Sequence, residues 1–161
     1  MEEQAIDEIS KILHEFSDPN FKTFQTRYSG ILKVETKLNL LKLVEKIREK
    51  IENEPWELRY CSRIIPIQKT CKTDLNSIKQ NVIELIPSIK PNNTYKISIE
   101  KRDSNIIRNE IISNIASLLT NKVSLERPDW EIIIQIIGNE TGISILPKNS
   151  ILSVNRIKRL D

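Results

Sequence analysis

The heptapeptide Glu131-Ile132-Ile133-Ile134-Gln135-Ile136-Ile137 limits the fold of this chain more than any other feature, because five of its seven residues are isoleucine. A strand with one face in water alternates apolar and polar residues, since successive side chains point to opposite faces. This run does not alternate, so it reads as a strand buried on both faces. β-Branched side chains at most of its positions favour the extended form. Composition agrees: the 161-residue chain holds 29 isoleucines against eight Phe, Trp and Tyr in total, so its core is aliphatic and few rings remain for stacking on bases. That length suffices for one large domain or two small ones.

The elements around this strand follow from spacing. Ile6, Ile9, Leu13 and Phe16 recur at helical intervals and predict a first helix ending near Ser17-Asp18-Pro19. Phe21 to Arg27 and Ile31 to Lys37 are short strands either side of Tyr28-Ser29-Gly30. Thr36 is placed to cap a second helix with Leu40, Val44, Ile47 and Ile51 inward, stopped by Asn53-Glu54-Pro55. Helix, two strands and helix make most of a small α+β unit that needs one more strand. Trp56 to Gln68 reads as that strand, serving both halves of the chain, although Pro66 within it implies an edge, a bulge or a bend. Thr73 or Asp74 then caps a helix carrying Leu75, Ile78, Val82 and Leu85. Tyr95, Ile97 and Ile99 alternate with Lys96, Ser98 and Glu100 as a half-buried strand. Ser104 opens a helix with Ile107, Ile111, Ile115 and Leu118 inward, and Val123 to Leu125 is a short strand. Gly138 to Gly142 turns the chain so that Ile143 to Leu146 pairs back on the isoleucine run.

Several chemistries have no residues to carry them. The only glycines are Gly30, Gly138 and Gly142, so neither G-x-G-x-x-G nor G-x-x-x-x-G-K-[ST] can be written, and no cofactor is expected. His14, the one histidine, sits near the inward stripe of a helix and reads as structural; a zinc site would need carboxylates to join it and two distant cysteines. Cys61 has no neighbouring histidine to activate it, so a thiol nucleophile is not expected. Cys61 and Cys71 make no disulfide framework, and a bridge between them stays open. Glu126 and Asp129 read as loop and turn residues rather than an acid–base pair. No run approaches the roughly 18 apolar residues of a membrane span. The acidic start Met1-Glu2-Glu3 is unlike a signal peptide. These readings place the chain in the cytoplasm.

Charge points elsewhere. Residues 1–54 carry nine Lys/Arg against eleven Asp/Glu, a net of −2, whereas residues 55–161 carry sixteen against eleven, a net of +5. The second part is the one suited to a polyanion. Its cations form four groups: Arg59, Arg63, Lys69 and Lys72 along Arg59–Lys72; Lys101-Arg102 with Arg108; Lys148; and Arg156, Lys158 and Arg159. The first group lies on a stretch with no acidic residue, either a phosphate-contacting element or an edge strand guarded by lysine and proline. The second precedes a helix start, where free N–H groups and the dipole favour phosphate. The last is a further contact or a frayed tail.

Residues 59–157 resemble the THUMP domain, a module of tRNA-modifying proteins. The likeness rests on Arg59-Tyr60-Cys61-Ser62-Arg63-Ile64-Ile65-Pro66-Ile67, on Thr70-Cys71, and on Tyr95-Lys96-Ile97-Ser98-Ile99-Glu100-Lys101-Arg102 followed by Arg108 and Glu110. It continues through Val123 to Asp129, the strand Trp130 to Ile137 and Gly142-Ile143-Ser144-Ile145. Within that family the Arg-Tyr-Cys and Ile-Pro-Ile-Gln-Lys-Thr-Cys stretches are similar to the stand-alone proteins that assist the tRNA cytidine acetyltransferase. The resemblance implies an α/β (α+β) protein: a ferredoxin-like unit over residues 1–56, then a THUMP domain over 57–161 with a mixed sheet flanked by helices. It implies a non-catalytic adaptor that binds the acceptor region of tRNA and helps a separate enzyme form 4-acetylcytidine in the D-stem. Because the chain ends with the THUMP pattern, no catalytic domain is expected. The RNA contacts implied are Arg59, Arg63, Lys69, Lys72, Lys101, Arg102, Arg108 and Lys148. The alternative is a substrate-binding subunit of another tRNA-modification enzyme, a methyltransferase or a thiolation system. An enzyme completed by a dimer interface and a plain interaction domain are further rivals, and oligomeric state stays open.

Overall fold

The computed structural model describes residues 1–159. Packing divides them into two compact units: Met1–Pro66 together with the described residues from Ile151 on, and Ile67–Ser150. The division by packing therefore falls at two places, neither of them near residue 56. Residues 57–66 and 151–159 pack with the first unit, and the last two residues of the 57–161 span lie outside the described residues.

In the first unit, helix α1 (Glu2–Glu15) buries Ala5, Ile12 and Leu13. Ser17, with φ of 67°, takes the left-handed conformation that ends a helix. Asp18 follows, and its carboxylate accepts from the Asn20 N–H at 3.1 Å, the Lys37 N–H at 3.4 Å and the Thr36 hydroxyl. Thr36 is thus committed to Asp18. Asn39 caps α2 (Leu40–Asn53) in its place, accepting from the Lys42 N–H at 3.1 Å. Between the helices, β1 (Lys22–Gln25) and β2 (Leu32–Glu35) form an antiparallel hairpin. Gly30 supplies a turn residue with φ of 82°.

The expected long strand from Trp56 to Gln68 does not form. Pro55–Glu57 is a 3-10 turn, and only Arg63–Ile64 (β3) is extended and paired, antiparallel to Leu152–Ser153 (β8). The reason is where the backbone donors go. The N–H groups of Arg59, Tyr60 and Cys61 all reach the Glu8 carboxylate rather than a neighbouring strand. Pro66 adds no donor. Helix α5 (Val154–Lys158) closes the unit, and Leu152, Val154 and Ile157 join Ile12, Val44, Ile47, Ile51 and Leu58 in one core. The hairpin and the β3–β8 pair are separate two-stranded ladders.

The second unit is a mixed four-stranded sheet. Its order is β4 (Lys69–Lys72), β7 (Glu140–Pro147), β6 (Trp130–Ile137), β5 (Tyr95–Arg102), with β5 and β6 parallel and the other pairs antiparallel. Helices α3 (Leu75–Leu85) and α4 (Arg108–Ala116) connect the strands. Ile78 and Val82 of α3 and Ile111 and Ile115 of α4 pack with Ile132, Ile134, Ile136, Ile143 and Ile145 on one sheet face. Ile133 points to the other face and is also fully buried, as the isoleucine run required. Asp74 caps α3 by accepting from the Ser77 N–H at 2.7 Å. Helix α4 starts at Arg108, four residues later than Ser104 suggested. Asp103, at φ of 53°, the Ser104 hydroxyl on the Ile106 N–H and the Lys101 ammonium on the Ile106 carbonyl hold the intervening loop. Val123 contributes one parallel bridge to Tyr95 rather than a strand.

Candidate nucleic-acid interface

The register of the sheet decides which cations stand together. Lys72 lies opposite Glu140, Glu140 opposite Ile137, and Ile137 opposite Arg102, one row across four strands. Three strand spacings separate the Cα atoms of Lys72 and Arg102, about 14 Å. Both are exposed, on the face away from α3 and α4. Arg108 opens α4 just beyond the same strand end and is exposed as well. Neither Arg102 nor Arg108 has a side-chain hydrogen bond or ion pair among the described residues. The first N–H groups of α4 add a weak positive field there. Lys96 shares the Arg102 face, since both occupy even positions of β5. Period-2 alternation along Tyr95–Arg102 is the sequence signal that places Lys96 on this face.

Other expected contacts are placed differently. Lys69 and Lys72 are three apart on a strand and face opposite ways. The Lys69 ammonium is paired with Glu84 of α3, so its charge tethers helix to strand. Lys101 likewise faces away from Arg102, and its ammonium sits 3.0 Å from the Ile106 carbonyl. Lys148 follows β7 at the opposite end of the sheet, about 26 Å along the strands from Arg102. It stands near Asp129, whose carboxyl is held below its ordinary range by the Thr94 N–H, the Thr94 hydroxyl and the Lys148 charge.

Arg59 and Arg63 belong to the first unit. Glu8 fixes their segment: Oε1 accepts from the Arg59 N–H at 2.7 Å and the Tyr60 N–H at 2.9 Å, and Oε2 from the Cys61 N–H at 3.0 Å. This clamp spans more than fifty residues of sequence, and no local pattern announces it. Lys158 also has a structural role, donating to the Leu58 carbonyl at 2.6 Å. With Val154 and Ile157 buried, the terminal cations through Arg159 belong to a docked helical segment rather than a frayed tail. Arg156 and Arg159 are exposed on it.

The thiols are held protonated. Burial, then the Glu8 charge, pushes Cys61 up to about 11. Cys71 is raised by burial and by Asp74. Both are free cysteines, and a thiol held this way is a poor nucleophile. His14 is exposed, outside the buried stripe expected for it, and its ring meets Phe21 edge-on at 5.2 Å. No group of three metal-ligating side chains occurs among the described residues. No helix there is long and apolar enough to cross a membrane.

Two helices cover one face of the mixed sheet, and Lys72 and Arg102 stand exposed at one end of the other face. Residues 72–146, within the second unit, match the family model of the THUMP domain. No curated protein matches the chain. The solved structures that share the fold include two of low sequence identity. One is PH1313 from Pyrococcus horikoshii Ot3, with a TM-score of 0.64 and 15% identity over 92% of this chain and 51% of that one. The other is TrmN from Thermus thermophilus, with a TM-score of 0.61 and 9% identity over 88% of this chain and 41% of that one. The chain thus spans about half the length of the first and two fifths of the second.

Proposed function

We propose that the protein binds tRNA through cations of its THUMP unit and of the Arg59–Arg63 segment, and serves as a non-catalytic adaptor for a separate modifying enzyme. The observation that carries this is the row from Lys72 to Arg102, extended by Arg108, inside the segment that matches the THUMP family. Separated cations on a rigid sheet suit the phosphates of a folded RNA, which is recognised by shape and by single-stranded ends rather than in its narrow major groove. The enzyme served is the tRNA cytidine acetyltransferase, with 4-acetylcytidine as the product; support for that choice is the likeness of the Arg-Tyr-Cys and Ile-Pro-Ile-Gln-Lys-Thr-Cys stretches. An adaptor of this kind raises the effective concentration of tRNA at the enzyme.

The test has two arms. Equilibrium binding of tRNA across a salt series should show affinity falling by somewhat under one decade per decade of salt for each phosphate contact. A flat series rejects RNA binding by phosphate contact. Recovery of the tagged protein from native extract should then bring down tRNA and an acetyltransferase. A methyltransferase or thiolation enzyme in its place would move the adaptor to another modification.

A further inference from the structure

We propose that Trp56 and Tyr60 form a stacking platform for unpaired nucleobases, with Arg59 and Arg63 as its phosphate contacts. This rests on the RNA-binding reading above and adds the ligand class, a single-stranded RNA segment.

The aromatic residues make the first argument. The chain has eight Phe, Trp and Tyr. Only Phe24, Trp56 and Tyr60 among them stand out as exposed, and two of these three lie four residues apart. Trp56 is 59% exposed and Tyr60 48%. Large rings usually supply core area, so two left in water on one short segment point to a ligand. Arg59 and Arg63 alternate with them and are exposed too. Rings interleaved with cations are what a single strand requires: a π-face for each base and a positive charge for the phosphate between.

The second argument is rigidity. Leu58, between the rings, is 1% exposed and anchors the segment in the core. Its carbonyl accepts from Lys158, and the next three N–H groups are held by Glu8. Glu57, next to Trp56, is ion-paired with Lys11 at 2.9 Å. The backbone beneath the rings is thus fixed before any ligand arrives, so little ordering is lost on stacking. Glu8 is here a positioning residue.

The third argument concerns polarity. A shallow groove beside Trp56 is lined by Asp7, Glu8, Lys11 and Glu57. Glu8 and Glu57 there are already engaged by backbone N–H groups and by Lys11, so Asp7 is the groove carboxylate placed to repel phosphate and accept from an exocyclic amine. A base can therefore lie over the ring toward the groove while its phosphate stays on the Arg59 side.

The experiment titrates the full chain with a short unstructured RNA, a duplex RNA of equal length and intact tRNA, reading tryptophan fluorescence and affinity together. Single-stranded RNA should quench the emission of the native protein. Trp56→Phe should lose the quench yet keep most of the affinity, because a phenyl ring still stacks. Trp56→Ala and Tyr60→Ala should each weaken single-strand binding on the order of tenfold. Glu8→Ala should weaken it as well. Quench by single strand and duplex alike overturns the proposal, as does unchanged single-strand affinity in Trp56→Ala and Tyr60→Ala. If the alanine variants fail to fold, the native protein and Trp56→Phe decide it, since absence of any quench by single-stranded RNA also overturns it. Those results would leave salt-dependent tRNA binding standing. Failure of the native protein to bind tRNA at all would instead reject the reading beneath.

Discussion

Removing one positive charge should have opposite consequences at Arg102 and at Lys69. Arg102 is exposed at the strand end and carries no side-chain partner among the described residues, whereas the Lys69 ammonium is already paired with Glu84. Arg102→Ala should delete one phosphate contact, weaken tRNA binding by about 1 kcal/mol, roughly fivefold, and lower the salt slope by about one unit. Lys72 is about 14 Å away across the sheet, beyond the range at which substitutions usually couple. The double variant Arg102→Ala/Lys72→Ala should therefore lose about 2 kcal/mol, roughly thirtyfold. Lys69→Ala should leave the slope nearly unchanged, because its charge is already offset by Glu84. The assay is equilibrium binding of one tRNA at several salt concentrations, with thermal melts to confirm folding. If Lys69→Ala and Arg102→Ala reduce slope and affinity equally, net charge governs binding and the register argument is wrong. Early melting of Arg102→Ala would show that this arginine supports the fold.

Three further outcomes test the fold. Ile134 is fully buried in the helix-covered face, so Ile134→Ala should cost about 2–5 kcal/mol, read as a lowered urea midpoint. A Cβ at Gly142 would meet Ile67 side-chain carbons at 3.0 Å, so Gly142→Val should cost about 1–3 kcal/mol, and Gly142→Ala less, in the same measurement. The Asp18 carboxyl is held below its ordinary value chiefly by the Thr36 hydroxyl and also by the Asn20 and Lys37 amides. A depressed folded pKa gives stability that is present above the unfolded value of about 3.9 and is lost as pH falls through the folded one. Asp18→Asn should be less stable at neutral pH and lose less on acidification; equal acid dependence in both proteins would refute the assignment.

The sequence made the second unit more legible than the first. Its strands and helices announce themselves by period, and the unbroken isoleucine run forced a covered central strand, which β6 is. The start of α4 was misplaced because Ser104 is a good cap residue, yet its hydroxyl serves the Ile106 N–H inside a loop. The Trp56–Gln68 reading failed for a longer-range reason. Strand propensity was right for the side chains, but the backbone donors of residues 59–61 are claimed by Glu8 on a distant helix. Thr36 was drawn from its expected capping role by Asp18 in the same way. At the candidate interface, residue type identified the cations but could not sort them. Whether Lys69 meets Glu84 or solvent, and whether Lys148 stands beside Arg102 or a sheet length away, depends on register and helix placement.

The adaptor claim is tested most directly by reconstitution. A tRNA cytidine acetyltransferase, acetyl-CoA, ATP and unmodified tRNA are incubated with and without this protein, and 4-acetylcytidine is measured. The account predicts more acetylation when the protein is present, a gain reduced by Arg102→Ala, and none from the protein without the enzyme. Equal acetylation in both reactions would contradict the adaptor role, and acetylation by the protein alone would contradict the non-catalytic reading.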